Sequence, residues 1–181
     1  MKPSLRARVT LGLAAITLCL AVVAGAAITS LARLGGAVDT ILRENYRSVI
    51  ACEEMKEALE RQDSAALFAL TGHADLARPM LAAHRARFER AYSVEAHNVT
   101  LAAEGPAVRE LDARYRAYVA AVDGALARGD AGSDGYFREL LPRFTALKET
   151  VQHILEMNHA TMEAADRNAR AARASSRTGA R

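Results

Sequence analysis

The chain's 181 residues suit a single domain, and alanine, leucine and arginine outnumber the aromatic and β-branched residues that a sheet would want. Its formal charge of +3 is unevenly placed: Lys2, Arg6 and Arg8 open the chain, five arginines against Asp166 close it from Ala165 on, and Val9 to Ala164 carries sixteen basic and twenty acidic side chains. A mildly acidic body with basic ends lacks the concentrated basic face that phosphate contacts require, so nucleic acid is excluded as a partner.

Residues 1–8 read as a short basic head. The twenty-four residues that follow, Val9 to Ala32, contain no charge. As a helix they would rise roughly 36 Å, against a hydrocarbon core of about 30 Å, which predicts a transmembrane helix over 9–32. Residues 1–8 would then be cytoplasmic and residues 34–173 periplasmic, in a single-pass protein of a bacterial inner membrane with the membrane as a partner. The alternative is a signal peptide cleaved at Ala24–Ala26, although such apolar stretches usually run only about 7–15 residues. Leu18 before Cys19 argues against a lipoprotein signal.

Beyond Gly35–Gly36 the spacing predicts four amphipathic helices. The first carries Val38, Leu42, Tyr46, Val49, Cys52, Met55, Leu59, Ala66 and Leu70, and ends at Gly72. Asp75 is a cap for the second, with Pro79 near its first turn. Its rougher stripe is Leu76, Met80, Leu81, His84, Phe88, Tyr92, Val99 and Leu101, ended by Glu104–Gly105–Pro106. Leu111, Tyr115, Tyr118, Val119, Val122 and Leu126 form the third stripe. After the loop Arg128–Gly135, capped by Ser133 or Asp134, the fourth runs from Phe137 through Leu140, Leu141, Phe144, Leu147, Val151, Ile154, Leu155, Asn158 and Met162 to Ala165. Pro142 falls inside it and should kink it. No alternating strand pattern occurs, so the fold class is all-α: an antiparallel up-down four-helix bundle behind the membrane helix, with residues 174–181 a disordered tail.

Three stretches, Ile41–Leu70, Arg87–Gly105 and Tyr136–Asn158, resemble the extracytoplasmic four-helix sensor region of bacterial membrane histidine kinases. The nearest likeness is the alginate-biosynthesis sensor kinase group, whose architecture chemotaxis receptors share. The resemblance spans about Leu31 to Arg173. It implies a signal-input module of a two-component system, truncated before the second membrane helix, the HAMP linker and the kinase that such proteins carry. The rival expectation is a secreted periplasmic bundle, a binding or chaperone-like protein released near Ala26.

Site chemistry is sparse. Glu156 and His159 have the spacing used by di-iron bundles, but only one copy is present where two are needed. His73, His84, His97 and His153 have no partner histidine three or four residues away. No nucleophile, base and orienting group assemble, so neither an enzyme nor a metal or other cofactor is expected. Arg85, Arg87 and Arg90 lie close together on the second helix and are candidates for holding a small anionic ligand by bidentate contacts, with exposed surface arginines as the plainer reading. A parallel homodimer through the first helix would use Val49, Cys52 and Leu59, with core filling the commoner role for Cys52.

Overall fold

In a computed structural model, residues 5–128 and 135–178 are described, and every regular element among them is helical. We label the helices α1 (Leu5–Phe68), α2 (Ala74–Ala96), α3 (Glu104–Arg128) and α4 (Leu141–Thr178). Wider π turns, Ala69–His73 and Tyr136–Leu140, precede α2 and α4. The chain forms two compact units, Met1–Ile41 and Leu42–Arg181.

In the first unit the described side chains of Leu13, Ile16, Leu18, Val22, Val23 and Ile28 are exposed. Thr17 and Thr29 turn their hydroxyls back onto carbonyls of their own helix. Among the described residues no helix is long and apolar enough to cross a membrane. The expected transmembrane helix over 9–32 is thereby corrected. The uncharged run is interrupted by hydroxyls and glycines at Thr10, Gly12, Thr17, Gly25, Thr29 and Ser30.

The second unit is a helical bundle. Its core takes Cys52, Met55, Leu59, Ala66 and Leu70 from α1, and Leu81, Phe88 and Ala91 from α2. Leu111, Tyr115, Tyr118 and Val122 come from α3, and Leu147, Val151, Ile154 and Leu155 from α4. Phe88 and Tyr115 stack across α2 and α3 with ring centroids 3.8 Å apart. Within each helix these residues recur at spacings of three, four or seven, with Ile154 and Leu155 adjacent, which is why each helix has a single buried stripe.

The joints differ in construction. Gly72 adopts φ 97°, the left-handed conformation that lets α1 end and the chain turn into α2, and it is the position where the sequence pattern places the break. Asp75 is not a cap: it lies in the first turn of α2, and no side chain caps the helix. Pro79 lies within α2, at its sixth residue.

The second helix ends earlier than its stripe suggests, at Ala96, so Val99 and Leu101 fall in the connection to α3. The reason is local competition for backbone groups. The Asn98 amide donates to the Glu44 carbonyl and to the Ser48 hydroxyl, while the N–H groups of Thr100 and Leu101 donate to the Glu104 carboxylate. The expected Ser133 and Asp134 caps lie outside the described residues. Pro142 is the second residue of α4, where its missing N–H costs little, and the π turn before it takes up the irregularity. At the far end α4 continues through Ser175 and Ser176 to Thr178, so residues 174–178 are helical where the sequence suggested a disordered tail.

Candidate functional site

Two clusters of polar side chains lie within the bundle, one toward each end. Near the α2–α3 connection the buried residues are Asn45 and Ser48 of α1, Glu95 of α2, Glu104 of α3 and Asn158 of α4. Glu104 is fully buried and well supplied with donors. Its carboxylate accepts the N–H of Thr100 at 2.8 Å, the N–H of Leu101 at 3.1 Å and the Asn158 amide at 2.6 Å. Glu95 is equally buried, yet neither of its carboxylate oxygens accepts a hydrogen bond. Burial raises its pKa from the ordinary 4.5 to about 7, with the Ser48 hydroxyl opposing that shift and Glu104 adding to it. The amide nitrogen of Asn45 and the amide oxygen of Asn158 are also buried without partners. The Cys52 thiol, on the same side of α1, is pushed well up, first by burial and then by the charges of Glu95 and Glu104, and so stays a thiol.

Toward the other end the half-buried Asp63 of α1 accepts the Tyr136 hydroxyl at 2.5 Å and the Tyr118 hydroxyl at 3.4 Å. Burial raises the Asp63 pKa, and these two hydrogen bonds pull it back. Between the clusters the Tyr115 hydroxyl donates to the buried Gln62 side chain, whose amide donates to the His84 carbonyl. Burial pushes the Tyr115 hydroxyl up to about 12.

The arginines singled out from the sequence do not converge. Arg85 is engaged with Asp123 of α3 at 2.7 Å, and Arg87 with Glu57 of α1 at 2.7 Å. Arg90 is exposed. Two of the three are thus committed to carboxylates of neighbouring helices. Val49 packs partly buried against the core, and Cys52 and Leu59 have no exposed surface. A second copy of the chain has nothing to touch at Cys52 or Leu59 without unpacking the bundle, and Cys52 is a free thiol filling the core. His73, His97, His153 and His159 are exposed, His84 is half-buried, and no group of three or more metal-ligating side chains occurs among the described residues. Sequence reading missed Glu95 and took Glu104 only as part of a helix break. The signal that could have marked Glu104 is an acid at the start of a helix, directly after a segment whose free N–H groups need an acceptor.

The rim of the seam between α1 and α4 is polar. Lys56 donates to Gln152 at 3.0 Å, and Lys148 pairs with Glu60. These residues and Phe144 line a shallow groove of about 500 Å³. No protein-family model, curated protein or solved structure matches the chain.

Proposed function

We propose that the bundle of the second unit is a sensory input module of the kind that feeds a histidine kinase, passing its signal as a small shift of α1 against α4. The observation that carries this reading is the α1–α4 seam. Its rim consists of the half-buried Lys56–Gln152 hydrogen bond and the exposed Glu60–Lys148 ion pair, the latter of a class worth only about 0–1 kcal/mol. Such contacts exchange at little cost, whereas the interior stack of Phe88 on Tyr115 holds α2 against α3. Sliding of packed helices is one established form of switching, and a stimulus drives it only by favouring one arrangement over the other.

The test replaces the input bundle of a working sensor kinase with residues 42–173 of this chain. The graft should support kinase output, and one residue inserted after Arg173 should alter it, because the helical phase turns by roughly 100°. Output indifferent to the insertion would remove α4 as a signal carrier. A second reading, a helical-bundle binding or chaperone-like protein, draws on the open groove between α1 and α2, where Ile50 and Val94 are about half exposed. That reading gains if the graft folds and remains silent.

A further inference from the structure

We propose that Glu95 and Glu104 form a proton-binding carboxyl pair, in which one proton held on Glu95 keeps the α2–α3 end of the bundle closed. The inference stands on the bundle's geometry and does not depend on the sensory reading. Taken together with that reading, it names the proton as the stimulus.

The two acids share a fully buried layer but are served unequally. Glu104 has three donors. Glu95 has no well-formed hydrogen bond, only the Ser48 hydroxyl nearby, and both its oxygens are cut off from water. An ionised carboxylate in that position has lost its hydration and has only the Ser48 hydroxyl beside it in exchange, a state that buried charges avoid by taking up a proton. One proton resolves the conflict, because a neutral carboxyl carries an O–H donor while the neighbouring Glu104 remains an acceptor. Two carboxylates sharing a site cannot both ionise cheaply.

Among the described residues, the groups that face this layer come from all four helices and the α2–α3 connection. From α1 come the Ser48 hydroxyl, the Asn45 amide and the Cys52 thiol, the last held protonated, with Glu53 and Lys56 acting on that thiol. From the connection come Asn98 and Thr100, which are neutral. α3 supplies Glu104, and α4 supplies the neutral Asn158. The orphaned oxygen of Asn158 and nitrogen of Asn45 fit a layer whose pattern depends on where a proton sits.

The sign follows from linkage. The folded-state pKa of Glu95, about 7, lies above its ordinary 4.5, so the proton's contribution is fully present below about 4.5. It is lost as the pH rises through 7. Over that range the unfolding constant should rise on the order of a hundredfold from this group alone.

The experiment uses the whole chain and two measurements. Urea unfolding from pH 4.5 to 8.5 should show the wild type losing stability relative to Glu95→Gln as pH rises, because the amide keeps a donor in place at every pH. Infrared difference spectra of the wild type should show a protonated-carboxyl band at pH 5.5 that disappears by pH 8.5. The same band should be absent from Glu95→Gln. The infrared titration stands even if the variant fails to fold. A wild type with no such band at pH 5.5 overturns the proposal. So does a stability gain on adding calcium chloride that a chelator reverses and that replaces the pH dependence, since a metal ion rather than a proton would then occupy the layer. Neither result touches the graft experiment, and a silent graft leaves the proton pair intact.

Discussion

Asp63 and Glu95 are both carboxylates inside the same bundle, one toward each end, and they are kept in different ways. Asp63 is half-buried and receives two phenol hydroxyls. Glu95 is fully buried, with no well-formed hydrogen bond to either oxygen and only the Ser48 hydroxyl near it as a donor. Burial pushes both upward, but at Asp63 two tyrosines oppose the push, while at Glu95 only the Ser48 hydroxyl opposes it and a second acid reinforces it. Depth alone therefore does not decide what a buried acid does. The donors around it do, and they make one end a fixed structural joint and the other a group that titrates near neutrality.

The sharpest way to break the contrast is to remove the acid that is well served. Glu104→Ala strips acceptors from two backbone N–H groups and from Asn158, all in a buried layer. The cost should be roughly 3 to 5 kcal/mol in urea unfolding at pH 7. The same change removes the negative charge beside Glu95, so carbon-13 NMR of the glutamate carboxyls should show Glu95 titrating at lower pH than in the wild type. A Glu95 titration that stays in place would mean that Glu104 does not raise it.

Next in size is Tyr136→Phe at the opposite end, which removes the shorter of the two donors to Asp63. A loss of about 2 kcal/mol at pH 7 is expected. The Asp63 pKa already lies above its ordinary 3.8 and should rise further without the phenol. Its proton then contributes stability that is complete below about 3.8 and lost as pH rises through the folded value. The penalty of the substitution should accordingly shrink toward pH 3.5, and unfolding curves at the two pH values check it.

The two connections offer a milder comparison. Gly72 turns the chain by its left-handed backbone, with open space around it. Gly72→Ala should cost about 1 kcal/mol through backbone strain alone. At the other connection Asn98 holds the Glu44 carbonyl and Ser48, so Asn98→Ala should cost about 1.5 kcal/mol and also disturb the layer beneath it. Only the second change should move the Glu95 titration. A shift with Gly72→Ala as well would show that the ends are coupled through the helices.

The apolar stripes were legible because periodicity reports one-sided burial. Met55, Leu59, Leu111, Tyr118, Val122, Leu147, Val151 and Ile154 are all core residues. Periodicity says less about ends, where Tyr46, Leu76 and Phe137 continue a stripe and yet stand exposed. It also misleads where side chains capture the backbone, as Asn98 and Glu104 do after Ala96. The acid layer was invisible for a further reason: a glutamate in a helix normally signals solvent, and only tertiary packing puts Glu95 inside. Arg85, Arg87 and Arg90 drew attention by their spacing, but the carboxylates that occupy the first two come from other helices, which no local pattern reveals.

The smallest expected effect belongs to one of those ion pairs and bounds the comparison from below. Arg85 meets Asp123 through two contacts, of 2.7 and 3.3 Å, with Asp123 more than half exposed. Water screens such a pair, and the two side chains lose freedom in forming it, so Arg85→Gln should change stability by less than about 1 kcal/mol. Whatever effect remains should fade as salt is raised from 0.05 to 0.5 M, because the screening length falls over that range. The Glu95 titration is buried, so it should shift little across the same salt series. If Arg85→Gln costs several kcal/mol regardless of salt, the α2–α3 contact depends on this pair more than on the Phe88–Tyr115 stack, and the division between a fixed interior and an adjustable surface would have to be drawn elsewhere.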